Sequence, residues 1–259
     1  MLTQAGAEVD VVLTRSALEF IGAVTFEALT GRAVHTELIA PGHALDHIKL
    51  ARGADLVLVA PATADTLARA AHGFANDLLT AALLATTAPV LIAPAMNDRM
   101  WGHPQTTRNV AHLREFGYHV IDPDVGDLAV GEGFGPGRMP EPETILFHAA
   151  RLLEGHLPLA GRTIVVTAGP TREAVDPVRF ISNRSSGKMG VAIAEAAWRR
   201  GAHVKLIAGP LGVTPASVLD VERVTTTAEM RDAVARALPH ADILVMAAAP
   251  SDFRPVTVS

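Results

Sequence analysis

Short runs of aliphatic and β-branched residues recur along the chain at Glu8–Thr14, Leu56–Ala60, Val90–Ala93, Thr163–Thr167, His203–Ile207 and Ile243–Ala247. Apolar runs of this length, bounded by Gly, Pro and polar turns, read as strands buried on both faces. Between them apolar positions fall at helical spacing over Thr63–His72, Asp77–Ala85, Pro104–Phe116, Glu141–Leu153, Val191–Arg200 and Ala228–Leu238. Strands alternating with helices predict an α/β protein with parallel sheets covered by helices, arranged as two consecutive Rossmann-like domains. The stretch His156-Leu157-Pro158-Leu159-Ala160-Gly161-Arg162 interrupts this rhythm just before a new strand, and the boundary is placed there, giving domains 1–157 and 158–259. The opening MLTQAGAEVDVVLT reads as a helix tail, a Gly turn and a strand, so a further strand is expected ahead of it. At the other end Pro255–Ser259 follows closely on a strand whose carboxyl edge should line a site.

Composition narrows the class. Of 259 residues 49% are hydrophobic and 19% charged, with a formal net charge of −5, which suits a soluble globular protein and disfavours an electrostatic nucleic-acid binder. No apolar run is long enough to span a bilayer and no basic stretch precedes a signal-like segment, so no membrane association and a cytoplasmic location are expected. The chain has no cysteine, which excludes disulfides, thiolate metal ligands and a cysteine nucleophile.

Residues 180–190 read FISNRSSGKMG. A Walker A loop needs Gly where Ser182 stands and Ser or Thr where Met189 stands, so that phosphate loop is excluded. The dinucleotide fingerprint G-x-G-x-x-G is absent as well, which disfavours an NAD dehydrogenase. What remains is a turn of small polar residues running into a helix, whose N-terminal amides favour an anion. The same residues also fit an ordinary helix cap with a solvated lysine.

Three stretches of the second half occur in order: TAGPTRE at 167–173, DPVRFISNRSSGKMG at 176–190 and AAPSDFRP at 248–255. Together they resemble the N-terminal part of phosphopantothenate–cysteine ligase. That resemblance implies a CTP-dependent reaction in which the 4′-phosphopantothenate carboxylate is activated as an acyl-cytidylate and cysteine displaces CMP. It implies that Asn183 and Arg179 act on the acyl-nucleotide, that Ser185, Ser186, Gly187 and Lys188 lie near the phosphates, and that Asp252 serves the nucleotide and its Mg²⁺. The chemistry agrees, because charge gathered on phosphates and a carboxylate must be met by guanidinium, amide N–H and metal. A lysine-rich loop that covers the triphosphate in that family is expected beyond residue 259.

The first half carries HIKLAR at 47–52 with Ala54 and Asp55, APATAD at 60–65 and PAMNDRMW at 94–101, and Thr14, Ala17 and Phe20 fit a T-x-x-A-x-x-F element. These resemble phosphopantothenoylcysteine decarboxylase, the flavoprotein half of the same bifunctional coenzyme A biosynthesis protein. The resemblance implies FMN, which takes electrons from the cysteinyl side chain so that carbon dioxide leaves readily. It implies His47 as the active-site histidine and Asn97 as the amide that holds the substrate carboxylate. Thr14, Pro61, Ala62, Thr63, Ala64 and Asp65 would then line the flavin, in a homo-oligomer with flavin sites at subunit interfaces. On that reading residues 1–157 as they stand are expected to retain FMN poorly until a preceding strand and its Gly/Ser loop are supplied. The family's proton-donating cysteine sits in a loop that here reads LAVGEGFGPGRM at 128–139, with Val130, or Gly131 if aligned one residue on, in its place. Neither can donate a proton. Two other readings stay open: a binding or assembly subunit that performs neither reaction, and a flavoprotein oxidoreductase acting on another thiol.

Overall fold

The computed structural model describes residues 1–39 and 45–256; residues 257–259, the close of the Pro255–Ser259 stretch, lie outside the described residues. The chain divides into two compact units, Met1–Leu153 and Glu154–Ser259. This division falls a few residues ahead of the sequence-based boundary at 157/158.

In the first unit a 3₁₀ turn at Thr3–Ala5 ends on Gly6 at φ 92°, a left-handed conformation suited to glycine. There follow β1 (Val11–Val12), α1 (Arg15–Leu18), α2 (Ala23–Thr30), β2 (Val34–His35), α3 (Asp46–Gly53), β3 (Val57–Ala62), α4 (Ala64–Ala71) and α5 (Leu78–Ala85). The unit continues with β4 (Val90–Pro94), α6 (Asp98–Trp101), α7 (Pro104–Glu115), β5 (His119–Val120), the pair β6 (Asp124–Asp127) and β7 (Phe134–Arg138), and α8 (Pro142–Leu153). Strands β3, β4 and β5 form a parallel sheet with β4 in the middle, while β1 pairs in parallel with β2 and β6 with β7 antiparallel. All five residues of β4 are buried, which explains its unbroken apolar sequence. Val90 and Ile92 face Leu67 of α4, Leu83 of α5 and Leu113 of α7; Leu91 and Ala93 face Ile145 and Ala149 of α8. Burying a side chain such as Leu67 or Leu113 contributes about 2 kcal/mol. Local signals start the helices: Asp77 and Thr80 form a reciprocal capping box for α5, and Pro104 opens α7 behind the His103 cap.

The second unit contains β8 (Thr163–Ala168), β9 (Arg172–Ala174), β10 (Phe180–Ser182), α9 (Lys188–Arg199), β11 (His203–Ala208), β12 (Asp220–Arg223), α10 (Thr227–Ala237), a 3₁₀ turn at Leu238–His240 and β13 (Ile243–Met246). Its parallel sheet has the order β12-β11-β8-β13. The period of two along β8 sorts its side chains: Ile164, Val166 and Ala168 pack with Val191, Ala194 and Ala197 of α9, and Val165 packs with Met230 and Ala233 of α10. Both units are therefore parallel sheets with helices on two faces, as the pattern of strands and helices implies.

Several expectations shift in detail. The strand expected over Glu8–Thr14 is confined to Val11 and Val12, which pair with Val34 and His35, and it ends after one further bond from Leu13 N–H to His35 O at 2.9 Å. Helix α9 begins at Lys188, before the expected Val191, because Gly187 at φ 77° reverses the chain ahead of it.

Candidate functional sites at the carboxyl edges of the two sheets

In the first unit the residues of interest follow the carboxyl ends of β3 and β4, which are parallel and so share an edge. Thr63 caps α4, its Oγ1 accepting from the Thr66 N–H at 3.2 Å, and Ala64 and Asp65 form the first turn. Asp65 is engaged through its side chain by Arg69 at 2.8 Å, which leaves the backbone of this turn as its outward-facing polar part. Pro61, in a cis peptide with Ala60, is exposed, whereas Ala62 is fully buried and its carbonyl accepts from the Ala95 N–H at 3.0 Å. That bond ties the 60–65 turn to the segment that carries Asn97. Asn97 caps α6 with its Oδ1, accepting from Arg99 N–H at 2.9 Å, a bond that does not use the amide Nδ2 donor. Thr14 caps α1 after β1, accepting from Ala17 N–H at 3.2 Å. Phe20, matched by the same element, is 91% exposed.

His47 lies in the first turn of α3 beside buried Asp46, whose carboxylate meets His35 at 3.5 Å and Lys49 at 3.2 Å. Its Nδ1 is buried without a hydrogen-bond partner among the described residues. The ring borders a cavity of about 610 Å³ whose other walls are apolar, including Ile48, Ala81 and Leu84. A buried nitrogen without a partner is costly unless a ligand completes it. A mainly apolar wall with one such group suits a flat ring system with a few polar atoms, as in a flavin.

The β6–β7 hairpin stands on the Asn97 segment. Met96 N–H donates to the Gly137 carbonyl at 2.9 Å, and a Cβ on Gly137 would run into the Met96 carbonyl oxygen. At its tip Leu128 N–H donates to Gly133 O and Glu132 N–H to Ala129 O, each at 2.9 Å, which leaves Val130 fully exposed.

In the second unit four loops converge at the carboxyl ends of β8, β11 and β13. Gly209 N–H donates to Ala168 O at 3.0 Å, Ala249 N–H to Gly169 O at 2.9 Å and Gly212 N–H to Ser186 O at 3.0 Å. At two neighbouring positions the packing admits only glycine: a Cβ on Gly187 would enter the Leu211 side chain and stand 3.1 Å from Gly169 N, and one on Gly190 would lie 2.8 Å from Thr167 O. Ser185 Oγ accepts from the Gly187 N–H at 3.3 Å, and Ser186 and Lys188 are exposed at the start of α9. A cluster that the sequence did not single out holds the loops together. The Thr171 hydroxyl contacts that of Thr227 at 2.8 Å and accepts from Ser251 N–H at 2.8 Å, while Glu173 accepts from Thr227 N–H at 2.7 Å. Thr171 and Glu173 are buried, and the sequence hint was the TRE triplet itself.

Asn183 Nδ2 donates to the carbonyls of Ala249 at 3.2 Å and Pro250 at 2.9 Å, which places it against the loop carrying Asp252. Arg179 extends from the β9–β10 turn with its Nε on Asp176 at 2.6 Å and its side chain 76% exposed. The Arg179 N–H, then the Val178 N–H, then the Arg179 guanidinium hold the Asp176 carboxyl below the usual carboxylate range. This stabilisation of the turn is present above the ordinary aspartate value and is lost as pH falls through the depressed one. Asp252 is exposed, and among the described residues no three His, Asp or Glu groups converge on a metal position. One carboxylate completed by phosphate oxygens and water is a donor set that Mg²⁺ accepts.

Consecutive parallel sheets with polar loops gathered at their carboxyl edges define a two-unit α/β protein of Rossmann-like class. The chain belongs to the Flavoprotein family, whose model matches residues 1–153, and residues 159–259 match the DNA/pantothenate metabolism flavoprotein C-terminal domain. It is similar to the coenzyme A biosynthesis bifunctional protein CoaBC of Mycobacterium tuberculosis, 54% identical over 264 residues that cover 100% of this chain and 63% of that protein. The chain thus spans under two thirds of the length of that curated relative. Among solved structures it is similar to a cysteine-to-serine mutant of PPC decarboxylase complexed with pantothenoylaminoethenethiol, with a TM-score of 0.51, 33% identity and coverage of 60% of this chain and 86% of that one. The FMN binding protein AtHal3 matches with a TM-score of 0.50, 33% identity and coverage of 59% and 85%.

Proposed function

We propose that the chain serves coenzyme A biosynthesis, its first unit as an FMN-dependent phosphopantothenoylcysteine decarboxylase and its second as the nucleotide-binding part of a CTP- and Mg²⁺-dependent phosphopantothenate–cysteine ligase. The observation that carries the reading is the identity of 54% to CoaBC over the whole chain. FMN, when bound, supplies a two-electron acceptor that eases loss of carbon dioxide. His47 and Asn97 are the protein's own contribution: His47 presents an unpaired ring nitrogen at the cavity wall, and Asn97 Nδ2 holds the carboxylate that leaves. In the second unit Lys188, Ser185, Ser186 and the amides at the head of α9 meet phosphates. Arg179 and Asn183 meet the activated carboxyl, with Asn183 turning from its carbonyl partners to do so.

The chain as it stands is expected to retain little FMN on gel filtration; with a peptide or fusion that supplies the preceding strand and its Gly/Ser loop, added FMN is expected to co-elute with a flavin absorption band, and His47→Gln is expected to weaken that restored retention. A chain that never retains added FMN would favour the assembly-subunit reading over any flavoprotein activity.

Calorimetry with CTP and Mg²⁺ tests the second unit. Binding is expected for the unmutated chain, and Asn183→Asp and Arg179→Gln should keep its affinity within about 3-fold, or about 0.7 kcal/mol. In a chain extended to the full length of the relatives, the same substitutions should depress ligation far more. Equal loss of CTP binding in both variants would mean that these residues only shape the loop.

A further inference from the structure

A second cavity of the first unit, with basic side chains among its lining, lies outside the carboxyl-edge site. It holds about 330 Å³ and is lined by Arg114 of α7, Tyr118 to Ile121 along β5, and His148 of α8. Strand β5 bonds to β4 and to no other strand among the described residues, so its far side is an open edge. In the register Ile92 faces Val120, and Ile121 N–H donates to Ile92 O at 3.0 Å. In a parallel ladder the residues flanking the partner turn inward, so the N–H and C=O of Val120 point outward. Arg114 Nη2 already donates to that carbonyl at 3.0 Å. The Val120 N–H faces the cavity.

Side chains join it from three elements. His119 and Ile121 share one face of β5, and Ile121 packs on Ile145 and Ala149, so His119 faces α8. On α8, His148 and Arg151 stand three residues apart on one side of the helix. From α7 comes Arg114, whose charge is partly offset by Asp122 at 2.8 Å, while the Tyr118 hydroxyl donates elsewhere, to Leu83 O.

We propose that this cavity binds a phosphate-class oxyanion, free phosphate or a phosphate monoester, held by the Val120 N–H, His119 and His148, with Arg151 of α8 adding positive potential beside both rings. The chemistry favours an anion over a metal ion, because two guanidinium groups stand beside the imidazoles and would repel a cation. Burial, then Arg151, then His119 hold His148 below its ordinary value; burial, then Arg151, do the same for His119. Both rings are therefore neutral donors at neutral pH. A bound dianion replaces repulsion by attraction and raises both values, so binding takes up protons and tightens as pH falls through the ordinary histidine range.

The test titrates the full chain with sulfate, whose charge is constant over the range of about pH 5 to 8 in which histidine titrates. Histidine C–H resonances are followed by NMR and affinity by calorimetry. Sulfate is expected to bind roughly 10-fold tighter near pH 6 than near pH 8 and to move two imidazoles together, with loss of about 10-fold in His148→Gln and in exposed His119→Gln. Inorganic phosphate and methyl phosphate, compared at one pH, separate a free from an esterified ligand. If His148→Gln lowers the melting midpoint, His119→Gln decides alone. Sulfate affinity that is the same in His119→Gln as in the unmutated chain, or that does not change with pH, overturns the proposal.

Discussion

Gly209→Ala should unfold the second unit more readily and remove its nucleotide binding. Its added Cβ would overlap the Pro170 carbonyl oxygen, a backbone atom with no freedom to swing aside. Pro170 is bridged to Ala249, and Gly209 itself is bonded to Ala168, so relief requires one of the loops at the sheet edge to leave its place. Forced overpacking of this kind costs about 3 kcal/mol. For a unit near 100 residues that lowers the thermal midpoint by roughly 12–24 °C. Gly212→Ala is the control, since its Cβ would meet Ser186 at 3.4 Å, an ordinary contact. Calorimetric scans of both variants, with CTP titrations beside them, read the difference. Equal midpoints for the two would mean that the close approach of loops does not build this site.

A chain loaded with FMN and given phosphopantothenoylcysteine is expected to release a decarboxylated product two hydrogens lighter than 4′-phosphopantetheine. Loss of carbon dioxide leaves a carbon–carbon double bond next to sulfur, and its reduction needs a proton from an acid at the site as well as a hydride. Val130 has none, and its side chain at the hairpin tip is fully exposed. The similar PPC decarboxylase whose cysteine is replaced by serine is complexed with pantothenoylaminoethenethiol, a compound of the kind expected here. Val130→Cys is expected to restore part of the saturated product. Gly131→Cys is to be compared with it, because Gly131 sits at φ 90° and a side chain there carries backbone strain. Mass spectrometry of quenched reactions distinguishes the products. Clean turnover to 4′-phosphopantetheine by the unmutated chain would show that Glu132, on the same loop, or water supplies the proton.

Much of the scaffold was legible because its causes are local. The apolar runs at 56–60, 90–93, 163–167, 203–207 and 243–247 became β3, β4, β8, β11 and β13 almost residue for residue, and the burial of most of β4, β8 and β11 explains why those three are so apolar. Helices α4, α5, α7, α8 and α10 followed their apolar spacing and their caps, such as the Thr226 and Glu229 capping box. Motif order carried the family as well, because the backbone turns and polar groups of such sites lie in short contiguous stretches.

Elements and contacts that depend on distant partners stayed hidden in the sequence. Strands β2 and β5 are two residues each and exist only because β1 and β4 offer an edge. Strand β7, with Gly135, Pro136 and Gly137, has no strand-forming pattern and is held by β6 and by Met96. The bonds from Asn183 to Ala249 and Pro250 span 66 and 67 residues, and the Thr171–Thr227 contact spans 56. The sequence alone determined which residue types stand at the strand ends, because periodicity and turn chemistry act over a few positions. Only the tertiary structure decided which of those ends meet, because parallel pairing joins strands far apart in the chain and the hydrogen bonds between their loops form after the sheet has brought them to one edge.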